Sequence, residues 1–270
     1  MDNNFVDKIK NHLRYADTSQ RLIYVILACS LLLFVVQVIF SGVYSWVALS
    51  SDFSQSLPKF WTFFTYTFFH ANIFHLLFNL IALYYFGQLF QTFFTQRQFL
   101  AVFILGSVFS GIFFSLIFSV ISGNGILLGA SGGVMAILFA TVRYQPHMMV
   151  RLPLIGSVKI WHIAAGFLLI DLLMMPFGNM GGRLAHLGGA LFGLLYTTML
   201  IKGTDMSVWL FWEKKKTVKK KPFRQRSSAF SERYSKADNQ NKVNIILDKI
   251  RKSGYESLTK EEKEFLFKQK

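Results

Sequence analysis

The sequence predicts an all-α polytopic membrane protein: six transmembrane helices in one bundle, followed by a small helical tail. Three observations predict it. The 270 residues are 53% hydrophobic and only 16% charged, too apolar for an ordinary soluble domain. Between Leu22 and Ile201 there are two acids, Asp52 and Asp171, whereas the stretch from Gly203 onward holds 18 of the 29 Lys and Arg and 9 of the 14 acids. Six apolar runs divide the acid-poor body, and most have the length that spans a bilayer.

Residues 1–20 form a polar N-terminal segment. Its length, and the absence of a small-residue cleavage site after the first run, argue against a cleaved leader. The bundle occupies residues 21–202, with runs at about 22–43, 68–87, 99–121, 129–144, 160–178 and 184–201. The first connection, 44–67, is aromatic (Trp46, Phe53, Phe60, Trp61) and is expected to lie in the membrane interface. Lys8, Lys10, Arg14, Arg21, Arg97, Arg143, Arg151, Lys159 and the lysines after 213 fall on one side, against Lys59 and Arg183 on the other. The positive-inside rule then puts both termini in the cytoplasm, with runs two, four and six passing from outside to inside.

Residues 203–240 read as a basic linker, disordered from 213, and 241–270 as a short helix–turn–helix extension. Thr259 and Glu262 fit a capping box, and Ile246, Leu247 and Ile250 are expected to pack on Leu258, Phe265 and Leu266. So small a unit has little core, so docking on a cytoplasmic partner or self-association is expected. The net charge of +15 is largely this tail's. Beside a membrane such charge marks the cytoplasmic face, and no nucleic acid is expected as partner. Cys29 is the single cysteine, so no disulfide forms within the chain.

The fourth run is short. Twelve helical rises from Arg143 to Ser131 make about 18 Å, against a hydrocarbon core of about 30 Å. Ser131 therefore lies on the order of 10 Å inside the outer surface, at or near a helix N-terminus whose first N–H groups are unpaired. The small residues around it, in "GASGG", either pack closely or surround a cavity. The sixth run opens "GGRLAHLGGALFG": His186 stands at comparable depth, and Gly189 and Gly193 form a face for close helix approach. On the second run His75 and Asn79 are four apart and share a face. A histidine beside a serine can serve as its general base, and an imidazole and an amide can donate to an oxyanion. His70 is nearer the interface and reads as structural.

At these residues the chain resembles the rhomboid family of intramembrane serine proteases. The family's H-x-x-x-N, G-x-S-G and A-H-x-x-G-x-x-x-G patterns read here "HLLFN", "GASG" and "AHLGGALFG", on the same helices and in the same order. The resemblance covers roughly residues 20–202. It implies that Ser131 is the nucleophile and His186 its general base. His75, Asn79 and the backbone N–H at Ser131 would form the oxyanion hole, supported by Gly129, Gly132, Gly189 and Gly193. It implies single-span membrane proteins as substrates, cleaved near the outer interface of a bilayer, and no cofactor or metal. A bacterial cytoplasmic membrane is the expected location. The tail from Asn241 resembles a helical extension attached to some bacterial members.

Two positions depart from the family pattern. The first outer loop has Trp61-Thr62 where many relatives have Trp-Arg, and Met135 stands where an aromatic commonly supports the histidine ring. A thioether fills that space but orients the ring less firmly. Asp171 poses a separate question. Twelve rises from Lys159 put it near the depth of Ser131, so a Ser-His-Asp triad is one reading. The resemblance implies a dyad instead, so Asp171→Asn is expected to lower turnover less than tenfold.

Two other function classes fit more loosely. An inactive rhomboid-like protein would bind membrane clients without cutting, and a serine-reactive probe separates it from a protease. A transporter or metal-binding membrane protein would need further intramembrane acids or a His-x-x-x-His pair, and the sequence has neither.

Overall fold

Each of the six apolar runs folds as a helix. The structure, a computed structural model, describes residues 7, 15–121, 123–152, 156–211, 243–244, 246–251 and 257–267. The chain divides into two units, Met1–Glu213 and Lys214–Lys270.

The first unit holds α1 (Thr18–Ile39), α2 (Ile73–Gln91), α3 (Gln96–Ile121), α4 (Ser131–Tyr144), α5 (Ile160–Met174) and α6 (Met180–Ile201). Five are long and apolar enough to cross a membrane, α5 with the 3-10 turn that extends it to Phe177; α4 is the short one. The protein is an integral membrane protein with an all-α polytopic fold. Its outward residues show why: Leu32, Val35 and Val38 on α1 and Phe74, Phe78 and Ile81 on α2 are exposed yet as apolar as the core. A helix apolar all round has no face suited to water.

The short helix is the hub. Gly132 through Thr141 on α4 are all buried, enclosed by α6, α3 and α2, while α1 lies on α2. α5 is held more lightly, against α6 and α4, with 17% of its span buried compared with 50% for α3 and for α6.

Because α4 starts deep, the chain before it needs partners for its backbone. The first connection supplies them. β1 (Leu49–Ser50) pairs antiparallel with β2 (Ile126–Leu127), Ser51 N–H donates to the Gly125 carbonyl, and Gly129 N–H donates to the Tyr66 carbonyl. The Tyr66 hydroxyl, fully buried, donates to the Ser107 carbonyl of α3 at 2.6 Å. The connection expected at the interface thus divides its roles. Tyr66 packs inward, while Trp46 and Phe60 stay exposed and Trp46 stacks on Trp61.

α1 runs four residues earlier than the sequence expectation at both ends, and further boundaries and connections differ from it. α2 begins at Ile73 rather than 68, because Asn72 caps it by accepting from His75 N–H, and His70 lies in the chain before it. α6 begins at Met180, four residues early, after Asn179 in the left-handed region at φ 50°; Gly181 and Gly182, poor helix formers, disguise this turn in the sequence. Between α4 and α5 the basic connection forms a hairpin of β3 (Met149–Leu152) and β4 (Gly156–Lys159), tied to α2 where the Tyr85 hydroxyl donates to the Arg151 carbonyl.

In the second unit, α7 (Lys260–Phe267) has the expected capping box: Glu262 N–H donates to Thr259 Oγ1, and Thr259 N–H donates to the Glu262 carboxylate. Ile246 and Leu258 are buried, but Leu247 is 51% exposed and takes no part in that small core. Residues 213–240, read as disordered, and the Leu266 side chain lie outside the described residues.

Candidate active site

Ser131, His186, His75, Asn79 and Met135 line one cavity of about 240 Å³, together with Phe86, Phe167 and Asn179 among others. The sequence reading brought the first four together through depth and helix direction, and Met135 through the family resemblance; the fold gathers all five.

Ser131 is the first residue of α4, with Ala130 as N-cap. The entry to it is tightly specified. Gly129 has φ 120°, a backbone region that side chains rarely adopt, and a Cβ there would come within 2.7 Å of the His75 ring. Ala130 N–H donates to His70 Nε2 at 3.3 Å, and His70 Nδ1 is 3.0 Å from Ser30 Oγ, which donates to the Phe68 carbonyl. Since Nε2 accepts, the neutral ring carries its proton on Nδ1 and donates to Ser30. The fully buried His70 therefore locks α1, the chain before α2 and the start of α4 together, in keeping with a structural role.

His186 reaches the cavity because α6 lies against α4 backbone to backbone. A Cβ on Gly189 would collide with the Gly132 carbonyl, and one on Gly193 with the Ala136 carbonyl. Only glycine permits this approach. No hydrogen bond joins Ser131 Oγ to the His186 ring. Such bonds are often long in unliganded sites and tighten when substrate is held.

The donors sit where the α4 N-terminus opens. The first N–H groups of a helix, that of Ser131 included, have no acceptor within the helix. Asn79 is buried, and its amide gives one N–H to the His75 carbonyl at 2.9 Å, which leaves the second free. His75 stands on the same face one turn earlier, its ring edge-on to His70 at 5.0 Å between centroids.

One contact bears on Asp171, whose role the sequence leaves open. The sequence reading favoured a dyad with this acid outside it. In the structure Asp171, 5% exposed, has Oδ2 2.8 Å from His186 Nδ1, while Oδ1 accepts from Arg183 at 3.3 Å. The depth estimate was the usable signal; the helical phase that turns Asp171 of α5 toward α6 was not. Arg183 had been read only as a loop charge. Phe86 of α2 and Phe167 of α5, edge-to-face at 6.1 Å between centroids, were also not singled out. In a run with aromatics on every side, nothing marks these two.

Comparison with known proteins agrees with the motifs. The family model described as the Rhomboid domain matches residues 57–203. A second model, described as a family of unknown function (DUF6576), matches residues 232–268. The mitochondrial presenilin-associated rhomboid-like proteins of Mus musculus and Homo sapiens are each 35% identical over 139 residues, 49% of this chain and 36% of theirs. Rhomboid protease GlpG of Yersinia enterocolitica is 29% identical over 174 residues, 63% of this chain and 59% of its own. The chain thus spans about a third to three-fifths of the length of these relatives. The domain match, more than half of the sequence, shows that this chain belongs to the rhomboid family.

Proposed function

We propose that the protein is an intramembrane serine endopeptidase that cleaves transmembrane segments of single-span membrane proteins. The observation that carries this reading is the shared cavity of Ser131, His186, His75 and Asn79 at the start of a helix that begins inside the bundle. The name of the Yersinia relative, a rhomboid protease, supports the same activity. Both termini are cytoplasmic and the cavity opens toward the outer leaflet, as the basic connections argue. A bacterial cytoplasmic membrane is the expected site.

The chemistry follows from the groups present. Ser131 Oγ attacks the scissile carbonyl carbon while His186 Nε2 takes its proton. The carbonyl π electrons move onto oxygen, and the resulting oxyanion accepts hydrogen bonds from Ser131 N–H, the free Asn79 N–H and the His75 ring. The intermediate collapses, the C–N bond breaks, and His186 returns the proton to the leaving amine. Water then attacks the acyl-serine, giving a proton to His186, and the ester bond breaks as His186 returns that proton to Ser131 Oγ, freeing the acid and the serine. The acyl half of the substrate must unwind to reach Oγ, so a substrate helix with weak local structure is favoured.

The test is cleavage of a single-span model substrate in proteoliposomes by wild type and Ser131→Ala, with labelling by a fluorophosphonate. Cleavage and labelling that both vanish in the variant support the protease. The second reading, a client-binding protein without chemistry, draws on the missing Ser131–His186 hydrogen bond. It requires that folded wild type bind substrate yet neither cleave it nor react with the probe.

A further inference from the structure

We infer that Asp171 is a positioning residue for His186, so that the site works as a Ser131–His186–Asp171 triad inside the membrane. The inference rests on the proposed serine protease chemistry and deepens it.

Four observations converge. First, Asp171 Oδ2 lies 2.8 Å from His186 Nδ1, the short distance of a charge-assisted bond. Second, the Asp171 side chain is only 7% exposed, and it comes from a helix that is apolar apart from His162 in its first turn and mostly faces outward. An acid in such a span is costly unless it is paired or used. Third, a carboxylate only accepts, so the His186 proton is on Nδ1 and Nε2 presents its lone pair to the cavity. That is the tautomer a general base for Ser131 requires. Fourth, Met135, the neighbour on α4 that could restrain the ring, is a flexible thioether. Ring orientation therefore depends on the hydrogen bond.

The rest of the surroundings fits. Arg183 donates to Oδ1 and to no cavity group, and its Nε donates to the Gly178 carbonyl. It fixes the carboxylate and leaves Oδ2 to the imidazole. The other titratable group lining the cavity is His75. When His186 takes the serine proton, the imidazolium forms against Asp171, which lowers the cost of that charge.

The experiment compares wild type, Asp171→Asn, Asp171→Glu and the double variant Asp171→Asn with Arg183→Gln, all in proteoliposomes. Wild-type cleavage, absent in Ser131→Ala, establishes the protease reading independently of this inference. Expected for Asp171→Asn is a loss in kcat of at least about a hundredfold with KM near wild type. Soluble triads lose about ten-thousandfold on the same change; Arg183 and the helix packing retain part of the ring geometry here. Asp171→Glu is expected to recover a measurable part of the loss. The double variant also removes the half-buried Arg183 charge that would otherwise lose its carboxylate, and so keeps the inference testable if Asp171→Asn alone folds poorly. Its turnover is expected to stay low. Recovery in the double variant, a loss within tenfold in folded Asp171→Asn, or no recovery at all in folded Asp171→Glu would each overturn the inference and leave Asp171 as half of a structural ion pair.

Discussion

At Ser131 the whole of the proposed chemistry depends on one hydroxyl, and its removal creates only a small void. Ser131→Ala is expected to abolish cleavage and leave a folded, membrane-inserted protein, and His186→Ala to do the same; turnover near wild type in either variant would defeat the proposed mechanism. Asn79→Ala is expected to be milder. Loss of one oxyanion donor costs roughly a hundred- to a thousandfold, and here the Ser131 N–H and His75 remain. An unchanged kcat would remove Asn79 from the oxyanion hole. His70→Ala acts differently. It leaves the buried Ala130 N–H without its acceptor, at about 1–3 kcal/mol, so thermal unfolding should shift more than KM. The named site residues were legible in the sequence because each breaks the rule of its surroundings: a polar group at fixed spacing in an oily run. Asp171 was equally conspicuous, and its depth could be reckoned from Lys159. Its partner could not, since that depends on the rotation of α5 about its own axis, which a weak apolar pattern does not encode.

Helices and connections divide by how much of their information is local. The glycine face of α6 was legible, and it predicts that Gly189→Val disrupts the bundle rather than the chemistry alone. A side chain there meets the Gly132 backbone, which cannot rotate away, unlike a side chain. The expected result is loss of folded protein on extraction, and a stable variant with wild-type turnover would contradict the close approach. The pairing of β1 with β2 was not legible, because two-residue ladders carry no period and join segments far apart in sequence. The α2–α5 seam is a similar case. Phe86 and Phe167 close it with one edge-to-face contact, and α5 has little else to hold it there. An aromatic pair of this kind contributes about 1 kcal/mol, equivalent to roughly fivefold in an opening equilibrium. Phe167→Ala should therefore speed cleavage of a membrane-embedded substrate by a few-fold if access is limiting, measured as kcat/KM in proteoliposomes. Slower cleavage with intact folding would assign Phe167 to substrate contact instead.

On the scale of the whole molecule, an acid-poor apolar body and a basic tail were visible from charge distribution alone, and the structure divides the chain into two units at Glu213. Every group in the proposed chemistry belongs to the first unit. In the second, the Lys249 ammonium hydrogen-bonds both oxygens of Glu262, which also receives the Thr259 N–H, and these bonds hold the Glu262 carboxyl below its ordinary range. A lowered folded value means that the stabilisation is full above the usual glutamate range and disappears as pH falls through the folded value. Amide protection across 257–267, measured against the intrinsic exchange rate at each pH, should then fall at acid pH, well before protection in α4, which is buried along most of its length. The two units are separable in the same sense by truncation. Ending the chain after Phe211 removes no residue that lines the cavity and no partner of Asp171, His70 or Tyr66. It keeps Asp205, which accepts from the Tyr196 hydroxyl of α6 and from the Gln98 side chain of α3 and so ties the far ends of two core helices. Cleavage of a model substrate by the purified truncated protein should therefore match the full chain within about twofold in kcat, while localisation, stability in cells or choice of partner changes. A truncation that folds, by thermal unfolding and fluorophosphonate labelling, yet cleaves no membrane substrate would show that the tail acts on the protease core and that the separation argued here is wrong.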